Sequence, residues 1–450
     1  MPFAAGWIWT SSCIVRHHTG ECSHSPHLAL TYNGERGGRM PFLNPRRLRD
    51  YPRLIGAVLW AVWGLEVLLH HGWRSGLGPI LGSDFITLYG AGLLYRWSPE
   101  RLYDFRAQAQ IQAALIAPTP YPGLNLFISP PYVAMAYGLL TSLPLSLAYA
   151  LWSILTLGWI LHAAWGLRRF LPEAIQVAGL SFPQMVILIL SFFPFLAGWR
   201  VGQNHGLTLW VITGILLAQR AGRPGLAGLL AGLLLYKPQF VLGFLILWVV
   251  WREFRALMAF GAVATLWLGL SLWTGGAALY TEYLARAPLL LSLPWVSGFP
   301  AIAMITPYGL LATLFPPAAQ PALRAGSLVA LFLLGSGLAF TARPMGRQSF
   351  EAQAPAWMLA LLYPILAFPY ALIHDMILLI PALALWATVR PTQRLLYTAI
   401  AVYLGALILL FLGALTHLAL PALLPVGVLF MMACEGLIPL PNPSQRGSPS

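Results

Sequence analysis

LAGLLAGLLLYKPQFVLGFLILWVVW, residues 226–251, carries one charged side chain, Lys237, and stops against Arg252. An apolar run this long belongs in a hydrophobic core or a bilayer, and the rest of the chain decides between them. Of its 450 residues 58% are hydrophobic and only 9% are charged, against roughly a quarter in a soluble domain. Too few charges remain to cover a water-soluble surface. The chain reads as an all-α polytopic membrane protein, and Lys237-Pro238 splits the quoted stretch into two short runs, 226–236 and 240–251.

Working outward, the cations are the guide. The chain has 26 Lys and Arg against 13 Asp and Glu, a formal +13, and every cation but Lys237 is arginine. In a soluble protein that excess would suggest nucleic acid. In a membrane protein it suggests basic cytoplasmic loops, and no nucleic-acid partner is expected. Taking Arg46, Arg47, Arg49 and Arg53 as inside, the run 54–69 goes out to a long first outer loop, residues 70–143. Run 145–167 returns to Arg168 and Arg169, 177–197 goes out, and 206–219 returns to Arg220 and Arg223. Run 226–236 goes out and 240–251 returns to Arg252 and Arg255. Run 257–273 leads to a second outer loop, residues 274–321, and 328–340 returns to Arg343 and Arg347. Runs 357–370 and 373–388 go out and back to Arg390 and Arg394, and 395–415 and 418–437 bring the tail inside. About twelve spans result, with 131–143 and 300–315 left ambiguous.

Residues 1–39 lack one clean apolar run and read as a non-native or disordered extension, with translation beginning near Met40. Residues 40–437 form the transmembrane domain, and 438–450 a disordered cytoplasmic tail. Cys13, Cys22 and Cys434 have neither disulfide-framework nor zinc spacing.

Polar groups in an apolar setting are the candidates for function. Lys237 has two readings: a cation snorkelling at a helix end, or a point charge for phosphate. Asp84 is either the cap of the helix-like stretch that follows or a general base at the membrane edge. Arg200, Gln203, Asn204 and His205 crowd one turn that glycine and asparagine alone would make. Glu66 pairs with a neighbouring helix, and His374-Asp375 is either a polar helix start or part of a site. Under the arginine-derived topology Asp84, Arg200, Gln203, Lys237 and His374 reach the same membrane face. Four segments converging there make a shared site the economical reading.

The order Asp84-Phe85 with Tyr89 and Ala91, Leu102-Tyr103-Asp104, Ser129-Pro130-Pro131, Leu143-Pro144, Gly202-Gln203-Asn204, Ala227-Gly228, Lys237-Pro238 and His374 resembles glycosyltransferase family 87. That family belongs to the GT-C superfamily of polyprenyl-phosphate-sugar-dependent membrane enzymes. The resemblance implies a GT-C-like fold and inverting transfer of a hexose, mannose by family association, from a polyprenyl-phosphate carrier to a hydroxyl of a glycolipid or glycan. It places the catalytic base on Asp84 and the family's late histidine on His374. Lys237 and Arg200 are then expected at the donor phosphate, and Gln203, Asn204 and Tyr89 at the substrate. The expected location is the cytoplasmic (inner) membrane, multi-pass among its lipids, with the site facing the periplasm or cell exterior.

No Gly-rich phosphate loop appears, which disfavours a nucleotide-sugar donor. Asp84, Asp104 and Asp375 have no ligand spacing that demands a metal, so no cofactor is expected and a divalent ion is left open. The competing reading is a transporter or lipid flippase, disfavoured because the Asp84 and Lys237 contexts have no second copy.

Overall fold

The computed structural model describes residues 45–120, 123, 125–171, 180–296, 298–346 and 348–438. The extension 1–39, Met40, residues 177–179 of the third run, Arg347 and the tail from 439 lie outside the described residues. Among the described residues the regular structure is all helical, with isolated β-bridges and no strand.

Five helices are long and apolar enough to cross a bilayer: Arg49–Leu68, Leu145–Arg168, Phe254–Gly275, Pro317–Met345 and Gln393–Thr416. A sixth candidate is the pair Phe182–Leu190 and Phe193–Val201, bent by 62°. The bend lies where the Ser191 hydroxyl turns back to the Ile187 carbonyl (2.5 Å) and Pro194 enters the next helix without an amide hydrogen. Of the twelve runs marked in the sequence, length and composition therefore identify five such spans, or six with the bent pair.

Others are shorter, such as Pro224–Tyr236, Gln239–Trp251 and Ile373–Val389. Thirteen residues reach only about 20 Å at ~1.5 Å each, against a hydrocarbon core of ~30 Å. Interrupted helices persist at membrane depth where protein or water surrounds their free backbone groups. Two of these interruptions, at Lys237 and at His374, carry the polar residues singled out above. The stretches left open resolve as the helices Pro131–Gly138 and Pro307–Leu314, of 8 residues each, far too short to cross.

At the centre stands Phe350–Ala367, buried along nearly its whole length. Its Trp357 ring meets Phe244 and Trp251 at 6.0 and 5.0 Å. Gly243 lies so close to it that a Cβ there would fall 2.2 Å from the Ala360 carbonyl oxygen. Small residues of this kind let membrane helices approach where no hydrophobic effect drives them together.

Leu145–Arg168 measures the distance between the two ends of the bundle. Near its start the Tyr149 hydroxyl donates to the Arg200 carbonyl (3.3 Å), and just past its end the Arg169 carbonyl accepts from Arg220 (2.6 Å). The intervening helix separates these contacts by about 30 Å. At the Arg169 end Arg220 pairs with Glu351 (3.3 Å), and the Thr388 hydroxyl donates to the Phe170 carbonyl (2.5 Å). Arg390 and Arg394 pair with Glu435 at 3.4 and 3.5 Å. Arginines assigned to one face by charge alone thus meet at one end.

The other end is roofed by the segment read from the sequence as the first outer loop, which has a core of its own. Ser83–Trp97, Phe105–Ile116 and Pro131–Gly138 pack around Phe85, Ile86, Leu102, Ile116 and Phe127, each at most 2% exposed. Two buried glutamines stitch this layer. Gln108 donates to the Leu102 and Phe127 carbonyls (2.8 and 3.1 Å) and accepts from the Phe127 amide (3.0 Å), while Gln112 donates to the Asn125 carbonyl (2.8 Å). Buried amides so paired recover the hydrogen bonds lost with water. From the second outer loop Ala278–Arg286 packs onto the same layer, Tyr283 against Tyr103 at 6.1 Å.

Candidate active site

Asp84 stands at the second position of Ser83–Trp97, behind Gly82 in the left-handed region (φ 65°). The Gly82 amide donates to the Arg200 carbonyl (2.9 Å), joining the outer layer to the bent helix pair. The helix starts without a side-chain cap. The Asp84 carboxylate is instead held from elsewhere: Oδ2 accepts from Gln203 Nε2 (2.6 Å) and Oδ1 from Asn125 Nδ2 (3.3 Å). Burial pushes this carboxyl above the usual carboxylate range, while the Gln203 hydrogen bond and the charge of Lys237 pull it back and Asp375 adds a further push upward. Asp84 therefore lies within electrostatic reach of both Lys237 and Asp375.

Gln203 reaches Asp84 because Phe193–Val201 ends in left-handed Gly202 (φ 74°), after which His205–Arg220 begins at once. The Gln203 amide closes the turn on the Gly198 carbonyl (2.9 Å). A Cβ on Gly202 would fall 2.6 Å from the Phe85 Cβ. Gly202→Ala is expected to destabilise the protein by roughly 1–3 kcal/mol, from the left-handed backbone and the clash together. A thermal melt of the detergent-solubilised variant checks this, and an unchanged midpoint would show that the turn can relax. Beside it, Asn204 Oδ1 accepts from the Tyr137 hydroxyl (2.5 Å), a second joint between outer layer and bundle.

Lys237 follows the 3₁₀ turn Leu233–Tyr236 and precedes Pro238, which begins the next short helix. It does not snorkel. Its side chain is 16% exposed, and its ammonium donates to Asp375 Oδ1 (2.5 Å) and lies 3.4 Å from His374 Nε2. Asp375 is 3% exposed at the side chain, and its Oδ2 also accepts from the Leu372 amide (3.2 Å). Asp375 thus caps the turn Ile373–Leu378, as a polar helix start would, and is the counter-ion of Lys237.

Arg200 pairs with Glu66 (2.6 Å), so the glutamate in the first span does bind a neighbouring helix. This guanidinium is engaged on the Glu66 side, apart from the Lys237, His374 and Asp375 group. Tyr89 does not join the group either; its hydroxyl donates to the Leu143 carbonyl (2.7 Å) within the outer layer. Asp104, the third carboxylate considered for a metal, caps its own helix by accepting from the Arg106 amide (2.9 Å). Among the described residues no three His, Cys, Asp or Glu side chains gather as a metal site.

Sequence reasoning missed three participants. Asn125 comes from an irregular stretch with no motif, and Tyr137 looks like an ordinary aromatic in an apolar helix. His205, quoted in the Arg200 turn but given no role, is buried against Phe195 (4.9 Å) with neither ring nitrogen hydrogen-bonded.

The family model of glycosyltransferase family 87 matches residues 127–362, more than half of the chain. The chain belongs to glycosyltransferase family 87. No curated protein and no solved structure matches it. The protein is therefore a glycosyltransferase with apolar membrane helices. Within this family 87 glycosyltransferase the matched segment contains Arg200, Gln203, Asn204 and Lys237, while Asp84 precedes it and His374 and Asp375 follow it. Folding brings residues from both flanks onto it: Asp84 to Gln203, and Asp375 to Lys237.

Proposed function

We propose that this glycosyltransferase moves a hexose, mannose by family association, from a polyprenyl-phosphate carrier to an acceptor hydroxyl, with inversion, at the outer face of the cytoplasmic membrane. The observation that carries the reading is one carboxylate, Asp84, held by Gln203 and Asn125 and within electrostatic reach of a partly buried cation, Lys237. Direct displacement needs one base, to take the acceptor proton as its oxygen bonds to the sugar carbon. A glycosidase cleaving an acetal needs a second carboxyl to protonate the leaving oxygen. A lipid phosphate leaves without that acid when cations hold the charge it gains as the bond to the sugar breaks.

Lys237 has three N–H donors. Asp375 takes one, which leaves the ammonium able to meet a phosphate oxygen beside His374. Gln203 orients the base and Asn204 fixes the turn that presents Gln203. Arg200, partly exposed and held by Glu66, secures the junction that seats Asp84, and Tyr89 acts as a strut beneath it. The acceptor is a glycolipid or glycan. The transporter reading gives way to family membership.

The test is a donor panel. Purified protein given polyprenyl-phosphate sugars is expected to consume one of them in the presence of acceptor, releasing polyprenyl phosphate and forming a bond of opposite anomeric configuration. Consumption of a nucleotide sugar with every lipid-linked donor untouched would remove the donor assignment, and a product of retained configuration would remove direct displacement.

A further inference from the structure

At the arginine-rich end, some 30 Å along the bundle from the Asp84 layer, a depression of about 700 Å³ opens between the turns at residues 219–224 and 252–255 and the residues Gly346, Gln348, Phe350 and Gln353. Arg220, Arg252 and Arg255 line it, with Glu253 as the opposing charge. Arg220 is held by Glu351 and by the Arg169 carbonyl. Arg252 and Arg255 are exposed, and among the described residues neither guanidinium has an ion pair or hydrogen bond. Gln219, also on the wall, buries its Nε2 without an acceptor. Two unengaged guanidinium forks beside Arg220 ask for one ligand with several acceptor oxygens, and phosphate has that chemistry.

The rim says how the phosphate arrives. Phe254, 63% exposed, stands on it and begins Phe254–Gly275, a membrane helix of which only 11% of the apolar window is buried. An apolar track thus runs from the basic depression along a helix face open to lipid. We propose that this depression is a phosphate-binding site for the headgroup of an anionic lipid, whose chains lie along Phe254–Gly275. It is separate from the sugar-transfer site and holds whether or not that reaction is assigned correctly.

The experiment uses the full chain in neutral detergent and the double variant Arg252→Gln/Arg255→Gln, whose side chains are exposed and outside the transfer site. Binding of short-chain phosphatidylglycerol, phosphatidylcholine of the same chain length, and inorganic phosphate is compared by native mass spectrometry, with circular dichroism confirming an intact helical fold. Phosphatidylglycerol is expected to bind the wild type at least about tenfold more tightly than the double variant, since each charge-assisted contact removed is worth that much or more. Phosphatidylcholine and inorganic phosphate are each expected to bind more weakly than phosphatidylglycerol. Inorganic phosphate binding as tightly as phosphatidylglycerol, and lost in the variant, would assign the site to a soluble phosphate compound and overturn the lipid. Equal phosphatidylglycerol binding by both proteins, or equal binding of the two lipids, would overturn the site.

Discussion

Asp84→Asn is expected to lower sugar transfer by about 10²–10⁴-fold, the usual contribution of a positioned general base, while donor binding stays within about twofold because the shape is kept. The substituted amide can still accept from Gln203 through its oxygen, so the turn at Gly202 and the joint to Arg200 remain. What disappears is the basic oxygen that receives the acceptor proton. The wild-type pH profile carries a matching sign. Asp84 acts only when ionised, so transfer falls as pH drops through its pKa, and burial raises that pKa. The acid limb is therefore expected at higher pH than an ordinary aspartate would give, and absent from the residual activity of the variant. Single-turnover transfer with saturating donor measures the rate, and equilibrium donor binding measures the rest. Turnover close to wild type would remove Asp84 from the chemistry.

Asp375→Ala has the second large effect, expected on stability. It strips the counter-ion from a lysine whose side chain is only 16% exposed and leaves the Leu372 amide without its acceptor. Breaking a buried pair from one side costs about 3–5 kcal/mol, because the remaining charge is uncompensated, whereas replacing both partners by apolar groups is often nearly neutral. Lys237→Met/Asp375→Ala should therefore melt closer to wild type than Asp375→Ala alone. Its transfer should remain low, since no cation is left to meet the donor phosphate. Denaturation midpoints of the three proteins in one detergent make the comparison. A double variant no more stable than Asp375→Ala alone would show that the two side chains do not stabilise the protein as a pair.

The parts legible in the sequence were those governed by the bilayer. Sorting arginines to one face anticipated the contacts among Arg169, Arg220 and Glu351, and those of Arg390 and Arg394 with Glu435, because the charge rule acts on each short loop independently of tertiary packing. Lys237 and Asp84 stood out because ionised groups are rare in such surroundings. Partnership was harder to read. Lys237 and Asp375 lie 138 residues apart, and Asp84 and Gln203 119. Periodicity carries no record of such pairings, so a lysine that looked free to snorkel or to bind phosphate proved to have a buried counter-ion. Helix length and composition single out five or six of the twelve runs for a related reason. Hydropathy marks an apolar run wherever it occurs, but the segments at Lys237-Pro238 and His374 are short helices supported by protein around them.

Asp84 rides on the outer layer with its own core, and Lys237 and Asp375 belong to the bundle below. Several tethers keep these bodies in register, among them Gly82 to Arg200, Tyr137 to Asn204, Gln203 to Asp84 and Tyr132 to Leu235. On the proposed function, the half that receives the proton and the half that grips the carrier are built from different stretches of chain. On that proposal the upper body can be retailored across a lineage to new acceptors while the lower one keeps its hold on the same carrier, so long as the seam between them stays tied.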